Sequence, residues 1–288
     1  MTDAPPTASD SAPGPGRTEL SARAKLTLSL RVTGVRSDGY HLLESEMVTL
    51  DVADTLVIGA GDELTVSMAY AGGGGPWRTE AIDVGPSNLV SRALASVGRT
   101  ARVELVKRIP PGSGLGGGSA DAAAVLRWSG STGVGLAASL GADVPFCVRG
   151  GRALVRGVGE DLTRLPFEER TFILFLLPFG VDTGAVYRAW DRMLARGEIS
   201  PSEPSSECGS DNDINDLEAP ALAVEPRLGR WQAHIADMTG RRPRLAGSGS
   251  TWFVEGTPEE LGVTGQRTLS LGDERALLVP TTTTPALL

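Results

Sequence analysis

The sequence contains very little cysteine and histidine, with two of each among its 288 residues. Cys147 and Cys208 are too few for a disulfide framework, and a zinc site built from cysteine and histidine is not expected either. Hydrophobic runs are short: the longest strongly apolar one spans 171–179, whereas a membrane-spanning helix needs about 20 residues. These scarcities argue against disulfide-rich domains, zinc modules and helical membrane proteins.

Positive charge is also scarce. Lys and Arg total 27 against 35 for Asp and Glu, which gives a net charge of -8 at pH 7. General nucleic-acid binding relies on basic surface, so a nucleic-acid partner is not expected. The N-terminal residues are rich in Pro, Ser, Ala, Asp and Thr and have no apolar signal-peptide segment. We therefore predict a disordered tail over residues 1–19, a cytoplasmic location and no membrane association.

Strands and helices alternate along the chain. In 24–35, leucine and valine alternate with polar residues, as in a half-buried strand. The spacing in 88–97 is helical, and Ser87 or Asn88 can cap the first turn. The predicted strands are 24–35, 42–51, 54–58, 64–68, 101–107, 153–155, 172–177 and 251–255. The predicted helices are 88–97, 120–128, 184–196 and 227–238. Loops are expected at 72–75 and 197–212, and a loosely held tail after Val279. This mixture predicts an α+β fold with mixed sheets.

Glycine is the residue in excess, with 37 in the chain. The most informative cluster lies in 107–124, which reads KRIPPGSGLGGGSADAAA between a predicted strand and an alanine-rich helix. Glycines let backbone N–H groups point into one concavity, and the helix N-terminus adds partial positive charge there. Ser119 can give a hydroxyl to a phosphate or a metal ion, and Asp121 can help to hold magnesium or position a substrate group. The pattern predicts a phosphate cradle.

Other interpretations of this loop are weaker. It lacks the Gly-Lys-Ser/Thr ending of a Walker A sequence, and it is not a dinucleotide fingerprint, which opens a series of parallel βαβ units. A flexible loop that binds nothing is the remaining alternative. The position between a strand and a helix argues against that alternative, because it is where a phosphate cradle is built.

The loop resembles that of the GHMP kinase superfamily, which reads Pro-x-x-x-Gly-Leu-Gly-Ser/Gly-Ser. Within the superfamily the chain is most similar to the kinase family that acts on 4-diphosphocytidyl-2-C-methyl-D-erythritol. Further stretches that resemble this family keep its order along the chain and are Ala24–Leu26, Arg36–His41, Asn88–Leu89, Leu140–Phe146, Gly157–Glu160 and Leu245–Ser250. The Asp-Gly-Tyr-His element at 38–41 is more specific to this family than the glycine loop.

The resemblance implies a two-domain fold with the active site in a cleft between an ATP-binding domain at 20–155 and a substrate-binding domain at 156–288. It also implies transfer of phosphate from ATP, with Mg²⁺, to the 2-hydroxyl of the substrate's erythritol part. This reaction belongs to the non-mevalonate route of isoprenoid biosynthesis. The expected partner is therefore a small cytidyl diphosphate molecule.

The resemblance also assigns site residues by position. Asp143 would be the catalytic base and Lys25 its charged partner, while Tyr40, His41 and Tyr187 would hold the cytosine. The implied ATP-binding residues are Asn88, Lys107, Pro111, Gly112, Ser113, Gly114, Leu115, Gly116, Gly117, Gly118 and Ser119. The implied substrate-binding residues are Thr27, Tyr40, His41, Asp121, Thr183, Tyr187, Gly247, Ser248 and Gly249.

The chain departs from the family pattern at three places. Thr27 stands where the family usually has asparagine, Ala120-Asp121 replaces Ser-Asn, and the stretch between Asp121 and Asp143 is about ten residues shorter than in the family. Two alternatives therefore stay open. One is another GHMP kinase of homoserine or mevalonate type, and the other is a nucleotide-binding relative without activity. The Asp-Gly-Tyr-His element argues against the first, and Lys25 with Asp143 against the second.

Overall fold

The computed structural model describes residues 16–69, 82–204 and 214–288. The predicted loop at 72–75 lies outside these ranges, as do most of the predicted N-terminal tail and part of the predicted loop at 197–212. The strands are β1 Thr18–Val35, β2 His41–Gly59, β3 Leu64–Met68, β4 Arg102–Lys107, β5 Arg152–Gly157, β6 Asp161–Arg164, β7 Thr171–Leu176, β8 Arg244–Leu245, β9 Trp252–Glu255, β10 Thr268–Leu271 and β11 Glu274–Thr284. The helices are α1 Leu89–Ser96, α2 Gly117–Ser129, α3 Val134–Leu140, α4 Val144–Arg149, α5 Thr183–Ala195, α6 Glu218–Val224 and α7 Arg227–Thr239.

A long antiparallel hairpin of β1 and β2 forms the centre of the fold. β1 begins at Thr18, before the predicted end of the tail, because Thr18 pairs with Ile58. The two strands predicted at 42–51 and 54–58 are one continuous strand, which pairs with β1 on both sides of an irregularity at 50–52. Irregularities in the pairing, such as that between Arg23 and Lys25, let these long strands twist and re-aim side chains.

The sheet is mixed, which confirms the predicted α+β fold. Its strands follow the order β3-β4-β2-β11-β7-β9-β8, with β3 and β4 parallel and the other pairs along this path antiparallel. The prediction of a loosely held tail after Val279 was wrong, because β11 joins β7 to β2. The threonines in this strand suit a β conformation, and Asp51 accepts hydrogen bonds from the hydroxyls of Thr281 and Thr282.

The fold has two main hydrophobic cores, one on each side of β11, the strand that joins β7 to β2. Helices α1 to α4 pack on β2 and β4 in the first, with Leu56, Leu105 and Phe146 fully buried. Helices α5 to α7 pack on β7 and β9 in the second, which also takes Leu30 and Val32 from β1. Since β1 contributes to both cores, it holds the two halves together. The domain boundary at 155/156 stays a prediction.

The segment around the glycine cluster is more helical than expected. Helix α2 begins at Gly117, inside the glycine run, rather than at Ala120. Gly116 precedes it with φ 67°, a left-handed conformation that glycine adopts without strain. The shortened stretch before Asp143 forms the seven-residue helix α3. No helix in the three described ranges is long and apolar enough to cross a membrane.

Candidate active site

A cavity of about 560 Å³ opens beside the start of α2. The glycine loop, defined here as residues 110–119, forms one wall. β1 contributes Lys25 and Thr27, and the Gly-Ser loop, defined as 246–251, contributes Gly247 and Ser248. Elements from both halves of the chain thus surround one site, which we call the glycine-loop cavity.

The glycine loop is held in place by backbone contacts that leave no room for side chains. Gly112 O accepts hydrogen bonds from the N–H of Val181 and of Ser250, and Ser113 O accepts one from Thr251. At Gly114 a Cβ atom would lie 1.9 Å from the carbonyl oxygen of Ala246. The glycine loop and the Gly-Ser loop therefore pack backbone to backbone.

Lys25 and Asp143 meet at the rim of this cavity. Lys25 Nζ lies 3.4 Å from Asp143 Oδ2, with the lysine side chain 7% and the aspartate 31% exposed. Asp143 occupies the N-cap position of α4, but its side chain makes no capping hydrogen bond. The carboxylate is therefore available to a substrate hydroxyl. The adjacent ammonium group stabilises negative charge there.

The backbone around Lys25 fixes its direction. Its N–H donates to Leu115 O at 3.0 Å, and its stem passes so close to Gly116 that a Cβ there would lie 2.7 Å from Lys25 Cγ. Lys25 Nζ also donates to Thr27 Oγ1 at 3.1 Å. Thr27, the residue that replaces the family's asparagine, is thus part of the lysine's support.

Beneath the glycine loop lie three buried charges, which we call the charge triad: Asp54, Lys107 and Asp121. Lys107 Nζ donates to a carboxylate oxygen of Asp54 and, at 2.7 Å, to Asp121 Oδ2. Asp54 Oδ1 accepts from the backbone N–H groups of Arg108 and Ile109. This arrangement anchors the entry to the glycine loop, since it ties the end of β4 to β2 and to α2.

The charge triad changes the protonation of its members. Burial raises the pKa of Asp121 to about 7, with Lys107 opposing the rise and Asp54 adding to it. Burial alone would lower the pKa of Lys107, but the two carboxylates raise it above its usual value. Asp121 Oδ1 is buried without a hydrogen-bond partner. The residue reaches the cavity, but Lys107 holds its other carboxylate oxygen.

Asn88 also lines the glycine-loop cavity. As predicted, it caps α1, with Oδ1 accepting from Val90 N at 2.8 Å. Its Nδ2 donates to Asp83 O at 2.7 Å. Both polar atoms of the side chain thus have protein partners.

The Gly-Ser loop faces α5 across the cavity. Thr183 Oγ1 and Ser248 Oγ are 2.9 Å apart, and both residues line the cavity. Asn215 anchors the Gly-Ser loop, because its Nδ2 donates hydrogen bonds to the carbonyl oxygens of Leu245 and Gly247. These contacts bring Thr183, Gly247 and Ser248 together, as expected for neighbours in one site.

A second cavity of about 410 Å³ adjoins the first, and we call it the aromatic pocket. Tyr40, His41 and Asp191 line it, and Tyr187 lines both cavities. The rings of His41 and Tyr187 are 4.7 Å apart, so they are in direct contact and no base fits between them. Tyr40 is 64% exposed. Burial, and then the charge of Asp143, raise the pKa of the Tyr187 phenol, which stays neutral.

Most residues expected in the site line one of the two cavities. Two do not. The side chain of Leu115 is buried in the core, so only its backbone borders the site, and a Cβ at Gly249 would meet Leu245 Cδ1 at 3.1 Å. Cys147 is buried as expected, and burial raises the pKa of its thiol to about 12.

Sequence reasoning missed Asp54, Asp191 and Asn215. Asp191 follows Tyr187 by four residues, so helical spacing could have placed it on the same face of α5. Asp54 and Asn215 form hydrogen bonds with segments that are far away in the sequence. No pattern in the neighbouring residues predicts those contacts. Within the described ranges no cluster of three His, Cys, Asp or Glu side chains is arranged to hold a metal ion.

Several proteins named as kinases resemble this chain in sequence or fold. Residues 88–151 match the family model described as GHMP kinases N terminal domain. A solved mevalonate kinase of L. major, in complex with R-mevalonate, has a TM-score of 0.58 at 13% identity and covers 96% of this chain and 99% of its own. At that identity the likeness concerns the fold alone, which is the GHMP kinase fold.

Closer relatives define the family within that class. The 4-diphosphocytidyl-2-C-methyl-D-erythritol kinase of Paracoccus denitrificans is 40% identical over 249 residues, which cover 81% of this chain and 85% of the relative. That of Sinorhizobium medicae is 34% identical over 282 residues, covering 89% and 92%. A crystal structure of 4-(cytidine 5'-diphospho)-2C-methyl-D-erythritol kinase has a TM-score of 0.60 at 30% identity and covers 93% of this chain and 100% of its own. The chain belongs to the 4-diphosphocytidyl-2-C-methyl-D-erythritol kinase family.

Proposed function

We propose that this chain transfers the terminal phosphoryl group of ATP to the 2-hydroxyl of 4-diphosphocytidyl-2-C-methyl-D-erythritol. The observation that supports it best is the Lys25–Asp143 pair, 3.4 Å apart at the rim of the glycine-loop cavity. Phosphoryl transfer depends mainly on positioning and charge stabilisation. A carboxylate and an ammonium group beside a phosphate cradle supply both.

Asp143 is the proposed base. Its carboxylate takes the proton of the acceptor hydroxyl as the oxygen attacks phosphorus, while Lys25 stabilises the negative charge that develops on that oxygen. Thr27 and the stem contact with Gly116 hold Lys25 in this position. The cytidyl end of the substrate would lie in the aromatic pocket, beside Tyr187.

The glycine-loop cavity suits a triphosphate. Gly114 and Gly116 let the loop pack closely against Ala246 and Lys25. The N-terminus of α2 lies at the same cavity, where its partial positive charge favours a phosphate. Mg²⁺ bound to the phosphates would neutralise their charge during transfer. Mg²⁺ would keep several waters and phosphate ligands, and the Ser119 hydroxyl, which lines the cavity, would be one protein donor to it.

An ADP-release assay with a panel of acceptors tests this function. We expect ATP turnover with the cytidyl diphosphate substrate and none above background with homoserine or mevalonate. Turnover with homoserine or mevalonate alone would assign the chain to another type of GHMP kinase. ATP binding without turnover on all three would favour a nucleotide-binding relative.

A further inference from the structure

His41 is held in the aromatic pocket by contacts on three sides. Its ring lies 4.7 Å from that of Tyr187 and 5.2 Å from the edge-on ring of Trp190. Its Nε2 lies 2.8 Å from Asp191 Oδ1. The side chain is 11% exposed. These contacts fix the position of the His41 ring. Tyr187, whose ring contacts it, and Asp191, whose carboxylate contacts it, lie four residues apart on one face of α5.

The Asp191 carboxylate determines which nitrogen of a neutral His41 carries the proton. An ionised carboxylate only accepts hydrogen bonds, so Nε2 donates to it and Nδ1 is left unprotonated. Nδ1 has no hydrogen-bond partner within 16–69, 82–204 and 214–288. Because His41 lines the aromatic pocket, its Nδ1 is the ring atom that could accept a hydrogen bond from a ligand there.

Building on the proposed function, we propose that Asp191 is a positioning residue that makes the pocket select cytosine over uracil. Cytosine carries an amino group at C4, which donates, whereas uracil carries a carbonyl oxygen there, which accepts. An unprotonated Nδ1 of His41 accepts a hydrogen bond from the first and repels the second. Asp191 acts through His41 and has no need to touch the base.

Replacing Asp191 by lysine reverses the hydrogen bond. A lysine ammonium only donates, so a neutral His41 in contact with it accepts at Nε2 and carries its proton on Nδ1. Asp191 is 49% exposed at its side chain, so the longer residue has room. Calorimetric titration with CDP and UDP should show the CDP preference of Asp191→Lys at least about tenfold below that of the parent, or about 1.4 kcal/mol.

Two further variants separate the effect of the hydrogen bond to His41 from the effect of changing the charge near α5. Asp191→Asn keeps an oxygen that can accept from Nε2, so it should retain most of the CDP preference. Glu198→Lys makes the same change of charge just beyond α5, at a side chain that is 46% exposed and paired with Arg196. Its ratio of CDP to UDP affinity should stay within about twofold of the parent, because it does not touch His41.

The tautomer can be observed directly. The chain has two histidines, so ¹⁵N imidazole spectra at pH 8 contain two sets of signals, and His234→Gln assigns them. We expect the parent His41 to carry its proton on Nε2 and that of Asp191→Lys to carry it on Nδ1. A parent His41 protonated on Nδ1, or an unchanged CDP preference in Asp191→Lys, would overturn the inference. Failure of the parent to turn over the cytidyl substrate would instead refute the proposed function.

Discussion

The glycine-loop cavity and the aromatic pocket meet at Tyr187 but are built in opposite ways. The first is made of backbone packed against backbone, above charges that are almost wholly buried. The second is made of side chains, and Tyr40 and Asp191 lie largely in solvent. A backbone cradle suits a phosphate group common to many substrates. A side-chain pocket can be matched to one base. On the proposed function, phosphoryl transfer and recognition of the base would therefore occupy different regions.

The largest effect is expected at Asp143 in the glycine-loop cavity. Asp143→Asn should lower kcat by about 10²–10⁴, because the variant lacks the proposed base. ATP affinity measured by calorimetry should be nearly unchanged, because the glycine loop is intact. A kcat within about threefold of the parent would show that Asp143 is not the base.

A side chain added within the glycine loop should lower the affinity for ATP. Gly116→Val places a branched residue at φ 67° and brings its Cβ to 2.7 Å from Lys25 Cγ, where strain is about 1–3 kcal/mol. We expect ATP affinity in calorimetry to fall at least about tenfold. Gly133→Val is the control, since Gly133 has φ -64° and no atom within 4 Å of its Cβ position. Equal ATP affinities in the two variants would mean that the loop is only a turn.

A change in the aromatic pocket should affect one substrate only. Tyr187→Ala should raise KM for the cytidyl substrate about ten- to a hundredfold, because stacking on a base contributes about 1–3 kcal/mol. KM for ATP should change little. Tyr187→Phe keeps the ring and should resemble the parent. If Tyr187→Ala shifted both constants equally, or neither, the cytidine pocket would lie elsewhere.

The smallest effect is expected in the charge triad, and it depends on pH. Because the pKa of Asp121 is raised to about 7 in the folded chain, its protonated form is favoured by folding. Its contribution to stability is therefore present below about pH 4 and is lost as pH rises towards 7. Asp121→Asn removes this loss, so its stability relative to the parent should be higher at pH 8 than at pH 5.

Urea unfolding at the two pH values measures that difference. Asp237→Asn is a suitable control, because Asp237 is exposed on α7. It should show the same stability relative to the parent at pH 5 and pH 8. A pH-independent effect of Asp121→Asn would mean that the carboxylate is ionised throughout this range.

The sequence predicted the parts of the site whose chemistry is local. The glycine loop and a cap at Ser87 or Asn88 could be predicted because each depends on its immediate neighbours, whereas Lys25 was assigned only by resemblance to the family. Asp54 was missed because its partners Lys107 and Asp121 come from other elements, more than fifty residues away. The strand at the C-terminus was missed for the same reason, since the pairing that orders it is with β7 and β2.

On the proposed function, both cavities bind one substrate, and its cytidyl end in the aromatic pocket places the 2-hydroxyl beside Asp143. The most direct test is the position of the transferred phosphate, measured by NMR on substrate labelled with ¹³C at carbon 2 of its erythritol part. With ATP and the parent protein we predict a new phosphate signal that couples to that carbon and shows no three-bond coupling to a proton, because carbon 2 carries the methyl group and no hydrogen. A phosphate on another hydroxyl, or ADP release that does not depend on the cytidyl substrate, would contradict the account.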